Sequence, residues 1–282
     1  MIRAFDDSAG EPPPKFHPRA MLQSLERHLS QSKRVTNRHA DAAQQLVYDA
    51  WEAASDEEEE SLTYSALKLD PTNVDALLQV AVYAGLDGEE EIEFLRKVVA
   101  VAEKNLGKDF KEFAGHFWGC IETRPYMRAR QRLAEALRHA SRLDEAIAEW
   151  SAMVELNPHD NQGIRYLLLP AFLTLGRLEP ARKLFEQYPG EFEFNTVFAW
   201  GRVLERFLSD DLPAAESALA AARQQNPHTQ AYVKGHRRPP KHWPEAYAPG
   251  SKEEAICFAD YLRAAWAKHP ASLQWLETKK VK

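Results

Sequence analysis

Cysteine is scarce in this sequence: two in 282 residues, Cys120 and Cys257, far apart and in no CxxC pair. That excludes a disulfide framework and any zinc site of the usual spacing, so reduced thiols and no structural metal are expected. Long apolar runs are missing too. Nothing approaches the roughly 18 to 20 uninterrupted apolar residues that span a bilayer. The opening residues, MIRAFDDSAGEPPPKF, contain no apolar stretch of the signal-peptide kind. The expected setting is cytoplasmic, without a membrane partner. The chain also has no basic excess. Its net charge of −6 argues against nucleic acid as a partner. Residues 226–282 carry ten Lys and Arg against five Asp and Glu, leaving −11 for residues 1–225. That C-terminal surplus is either a preference for an anionic partner or a solvated surface.

The last absence is of strand patterning, since no segment sustains period-2 alternation. What is present is helical periodicity. Gly10, Pro12, Pro13, Pro14 and Pro18 give residues 1–20 an extended entry segment. Met21, Leu22, Leu25 and Leu29 then fall at helical spacing, as do Ala43, Leu46, Val47, Ala50 and Trp51. The expected fold is all-α.

Internal repetition refines that expectation. Adding 35 to Leu133, Leu137, Ala146 and Trp150 gives Leu168, Phe172, Ala181 and Phe185, the same order of sizes. A third copy holds Val203, Phe207, Ala215 and Leu219, and Pro158, Pro189 and Pro227 stand at or near the unit ends. The tetratricopeptide pattern asks for this arrangement: a bulky residue in the first helix, a small one where the helices approach, an aromatic four residues later and a closing proline. Two degenerate earlier units, one ending at Asp70-Pro71, bring the total to five. The prediction is a right-handed α-solenoid of tetratricopeptide-like helix pairs over 21–227. A basic, irregular loop and C-terminal capping helices follow over 228–282. Asn73, Thr123, Asp144 and Asn161 are read as N-caps and Gly107, Gly176 and Gly235 as helix ends. Ser251 to Glu254 reads as a capping box opening a helix through Trp266, with a short final helix near Leu273 to Leu276.

Against this plain background the segment GHFWGCIETRPYMRAR, 115–130, concentrates polar and aromatic chemistry. The longer stretch GHFWGCIETRPYMRARQRLAEAL, followed by LNPHDNQGIRYLLLPAFLTLGR, resembles bacterial tetratricopeptide proteins related to the suppression-of-tumorigenicity-seven family. The likeness extends to NPHTQAYVKG and AYAPGSKEEA, covering roughly residues 95–282. The resemblance implies a helical repeat fold and carries no enzymatic activity and no catalytic residues with it.

Three readings of the segment follow. As a catalytic cluster, Cys120 would be a nucleophile activated by His116 with Glu122 as partner, serving a hydrolase or transferase. As a structural junction, His116, Trp118 and Glu122 would lock an irregular connector between repeats, with Glu122 and Arg124 bonding its backbone groups and Phe117 and Trp118 plugging the interrupted helix stack. As a binding surface, repeat register turns Arg128, Gln131, Glu135 and Arg138 toward a concave face, with Gln162, Arg165 and Tyr166 from the next unit and Arg124 contributing positive charge. Arg130 and Arg132 would add to a positive field there, matching an acidic peptide segment of a partner protein. The junction and binding readings carry the expectation: a non-enzymatic interaction module without cofactor. A self-occluded structural subunit is the remaining alternative, its groove filled by Trp243, Tyr247 or Trp266. The DEEEE run at 56–60 reads as an exposed helix start. His228, His236 and His242 match no metal spacing, and KGHRRPPKHW is too short a basic patch to indicate nucleic acid. Oligomeric state is not encoded legibly.

Overall fold

The computed structural model describes residues 37–279. The extended segment expected at 1–20 and the helix expected from Met21 lie outside the described residues. Among the described residues every regular element is helical, sixteen α-helices and one 3-10 turn, with no strand. The chain forms two compact units that divide between His159 and Asp160.

The first unit contains α1 (Asn37–Trp51), α2 (Asp56–Leu69), α3 (Val74–Tyr83), α4 (Gly88–Leu106), α5 (Asp109–Glu112), the 3-10 turn Ile121–Thr123, α6 (Arg124–His139) and α7 (Leu143–Leu156). Helix α1 packs on α2, α4 on α6, and α6 on α7. Acidic residues fill the first turn of α2, where Ser55 caps the helix by accepting from the Glu58 amide. Negative charge there complements the unpaired N–H groups of the helix start. Asn73 caps α3 as expected, its side chain accepting from the Ala76 amide.

The second unit contains α8 (Arg165–Thr174), α9 (Leu178–Gln187), α10 (Glu191–Phe194), α11 (Thr196–Leu208), α12 (Leu212–Gln225), α13 (Thr229–Val233), α14 (Lys252–Cys257), α15 (Ala259–Ala267) and α16 (Pro270–Thr278). Helix α11 packs on α12 and α8, and α15 packs on α8, α11 and α13. Gly201 permits the α8 contact, because a Cβ there would lie 2.9 Å from Leu169 Cδ2. Trp200 and Trp266 are fully buried and meet edge to face at 6.2 Å.

The repeated positions of the sequence are core positions. Ala146, Ala181 and Ala215 have no exposed surface, and Leu133, Leu137, Trp150, Leu168, Phe172, Phe185, Val203 and Leu219 are all buried. Each fully buried large side chain contributes about 1.5–3 kcal/mol, which makes a slip of helix register costly. Phe207 is the exception. It is half-buried, and its ring meets Trp275 of α16 at 5.4 Å.

Several local expectations need correction. Thr123 does not cap α6; its hydroxyl donates backward, to the carbonyls of Phe117 and Cys120. Asp144 lies inside the first turn of α7, after Arg142. Asp160 does the work expected of Asn161, its carboxylate accepting from the amides of Ile164 and Arg165. Gly107, Gly176 and Gly235 do end helices, with φ of 55°, 66° and 71°. The helix expected to run unbroken from Ser251 to Trp266 divides at Phe258, where φ −106° and ψ 4° interrupt it. The break sets the Phe258 ring 5.6 Å from both Tyr166 and Tyr247.

Candidate functional site

The connector between α5 and α6 is held by its own backbone. The amides of Gly115 and Phe117 donate to the Leu156 carbonyl at 2.9 and 3.2 Å, satisfying an orphan acceptor at the end of α7. Phe117 is fully buried and stands edge-on to Phe110 at 5.1 Å and Tyr126 at 5.7 Å. Trp118 is half-buried, while His116 and Glu122 are exposed. Arg124 Nε donates to the Trp118 carbonyl at 3.0 Å, and its guanidinium lies 5.5 Å from the centre of the Trp118 ring. The segment thus gathers its aromatics and Arg124 into a packed junction, with His116 and Glu122 at its surface. No hydrogen bond joins His116 to Cys120 among the described residues.

The arginines expected to face a ligand are engaged by the protein itself. Arg128 Nε and Nη2 donate to the two oxygens of Asp75 at 2.7 and 2.5 Å, and the guanidinium also covers the Trp51 ring at 5.3 Å. Arg130 pairs with Glu149 at 2.7 Å and Arg132 with Glu91 at 2.7 Å. Arg138 bonds Glu135 within its own helix at 2.9 Å. Gln131 is half-buried on α6. Each positive charge of α6 beyond Arg124 therefore has a carboxylate beside it, and the expected field is locally compensated.

Arg165 and Tyr166 belong to the second unit. Arg165 reaches Asp160 at 3.0 Å and Glu191 at 2.8 Å, between the rings of Tyr166 and Tyr188 at 4.3 and 5.1 Å. The Tyr166 hydroxyl donates to Glu191 at 2.6 Å. Burial, reinforced by that hydrogen bond, pushes the Tyr166 phenol far above its usual range. This is a closed network in which each polar group is satisfied by another.

Of the residues offered as C-terminal plugs, Trp266 is fully buried, whereas Trp243 and Tyr247 are substantially exposed. His236 meets Glu277 at 3.3 Å. Cys120 and Cys257 are free and half-buried. Burial, with Glu253 and Glu254 nearby, raises the Cys257 thiol above its ordinary range. Among the described residues no group of three or more His, Cys, Asp or Glu is placed to hold a metal, and no helix is long and apolar enough to cross a membrane.

Among the described residues, open clefts of ligand dimensions occur in both units. One in the first unit, about 420 Å³, is lined by Gln44, Tyr48, Asn73, Asn105, Ile121 and Glu122 among others. One in the second unit, about 530 Å³, lies among α10, α11 and α12, with Arg202 and Arg206 on one wall and Ala214, Ser217, Ala218 and Ala221 on the other. Sequence reasoning passed over Arg202 and Arg206. Their signal was present: two arginines four apart on α11, followed by small residues at positions three, four and seven after Ala214 on α12. Comparison with protein-family models and comparison with curated proteins each give no match.

Proposed function

We propose that the chain is a non-enzymatic interaction module. It is a right-handed α-solenoid of tetratricopeptide-like helix pairs, akin to the suppression-of-tumorigenicity-seven relatives, working in the cytoplasm and holding an acidic peptide segment of another protein. The observation that supports it is the recurrence of burial: Ala146, Ala181 and Ala215, spaced as the sequence repeat requires, are each fully buried. A small residue at that point lets paired helices approach closely, and stacking such pairs leaves grooves whose exposed side chains select ligands. Arg128 and Arg165 bind the protein's own carboxylates in this arrangement, so they shape the module rather than supply its free charge.

The test is display of a random peptide library against the full chain at near-physiological salt. A recurring acidic motif, whose synthetic peptide binds and loses affinity when its carboxylates become amides, is the expected result. Enrichment of no motif, together with turnover of activated esters that disappears in Cys120→Ser, would replace this reading with the hydrolase alternative.

A further inference from the structure

Arg202 differs from the arginines of α6 and from Arg165. Its guanidinium lies over the rings of Phe185 and Phe192, at 5.3 and 4.9 Å from their centres, and makes no ion pair with a carboxylate among the described residues. Burial, then the neighbouring charge of Arg206, lowers its pKa, with Glu205 opposing. Arg202 is half-buried, and a cation partly withdrawn from water with no carboxylate paired to it is costly to hold. The surroundings do not cancel it. Glu205 is completely buried and is shared by Arg182 at 2.7 Å and Arg206 at 3.4 Å. Asp211, also on the cleft, accepts from the Ala214 amide as the cap of α12. Three guanidinium groups, of Arg182, Arg202 and Arg206, thus stand against two carboxylates, an excess of one positive charge.

The opposite wall is built for close approach. Ala214, Ser217, Ala218 and Ala221 line the cleft from α12, and Ser217 and Ala221 are exposed. Their small side chains leave room for the apolar surface of a ligand beside the arginines. The cleft is therefore cationic at one wall and shallowly apolar at the other.

We infer that the cleft among α10, α11 and α12 takes one glutamate or aspartate side chain of a partner protein, presented on an apolar helical segment, with Arg202 as the principal donor and Arg206 as the second. This rests on the interaction-module reading and names the ligand chemistry of one groove. Arg202 is pre-ordered by its two rings, so a carboxylate gains a fixed fork of donors with little further loss of side-chain freedom. The apolar flank of the ligand would cover Ala218 and Ala221 and deepen the desolvation that strengthens the pair.

The experiment uses the full chain and two synthetic peptides, acetylated and amidated, each an alanine- and leucine-rich helix with a single central Glu or, in the control, Gln. Binding is followed by fluorescence anisotropy of a label on the peptide. The expected result is at least tenfold tighter binding of the Glu peptide, a preference abolished in Arg202→Gln and partly kept in Arg202→Lys. Ala221→Leu, which fills the cleft from an exposed position on the wall opposite the arginines, should weaken the Glu peptide equally strongly; helical circular dichroism confirms that each variant is folded. Equal binding of the two peptides by wild type overturns the carboxylate site. No binding of either also overturns it, while a motif recovered by library display and insensitive to Arg202→Gln would leave the module reading intact with its groove elsewhere.

Discussion

Arg128 and Asp75 lie 53 residues apart and form a two-pronged ion pair, Nε to Oδ1 at 2.7 Å and Nη2 to Oδ2 at 2.5 Å. The Asp75 side chain is 1% exposed and that of Arg128 27%. Gln44 adds a third donor to the carboxylate at 3.0 Å. The pair ties α3 to α6, with α1 joined through Gln44. Removing the cation alone leaves a buried carboxylate short of partners, so Arg128→Ala should destabilise the first unit by about 1–3 kcal/mol. Urea unfolding measures this. The double variant Arg128→Leu/Asp75→Asn should recover most of the loss, because it removes the uncompensated charge along with the pair.

Glu254 plays the corresponding part in the second unit, with no ion pair among the described residues. Its carboxylate is fully buried and accepts from the Thr196 amide at 2.8 Å, the Gly250 amide at 2.7 Å and Asn226 Nδ2 at 2.9 Å. Ser251 accepts from the Glu254 amide at 3.1 Å, so half of the expected capping box forms while the carboxylate reaches across to the start of α11. Glu254→Ala strands two backbone donors, at about 1–3 kcal/mol each. Faster amide exchange through α14 and a loss of about 3 kcal/mol are expected, read by hydrogen-exchange mass spectrometry and thermal melting.

The repeat makes a positional prediction. Ala215→Leu, at a fully buried position, should cost about 1–3 kcal/mol by overpacking the α11–α12 contact. Ala221→Leu, on the same helix at an exposed position, should change stability by about 0.5 kcal/mol or less. Chemical denaturation of both separates them, and similar losses for the two would contradict the packing role of the small repeat residue.

Alkaline pH should weaken the fold. Burial, with the Asp160 charge adding to it, raises the Tyr188 phenol to about 12, and burial raises Tyr83 similarly, to about 12. The unfolded phenols ionise near 10, so between about pH 10 and 12 the folded chain holds more protons than the unfolded one. Stability therefore falls as pH rises through that window. Denaturation midpoints at pH 9, 10 and 11 test the sign, and Tyr188→Phe should flatten part of the decline.

Much of the fold was legible because helical periodicity and a recurring small residue are local properties. Leu133, Leu137, Ala146 and Trp150 announce their burial by spacing alone, and the copies 35 residues on do the same. The caps were less legible. Thr123 and Asp144 look like Asn73 in sequence, but Thr123 turns its hydroxyl back to preceding carbonyls and Asp144 falls inside the helix, whereas Asn73 accepts from the Ala76 amide. The division of the C-terminal helix at Phe258 was hidden, since its ring packs on Tyr166 and Tyr247, residues distant or irregular in the sequence. Of the residues expected to lock 115–130, Trp118 is half-buried while His116 and Glu122 lie at the surface; residue type alone does not say which side chains of a connector turn inward.

Composition and periodicity by themselves determined the all-helical class and the positions where helices pack closely, because each follows from residues near one another in the chain. Which arginines are charge-compensated was decided only by tertiary structure. Arg128 and Arg202 are the same residue type on similar helices, yet one meets a buried aspartate 53 positions away and the other meets two aromatic rings. Electrostatic balance depends on distances through space, and the chain sets those only when its helices pack.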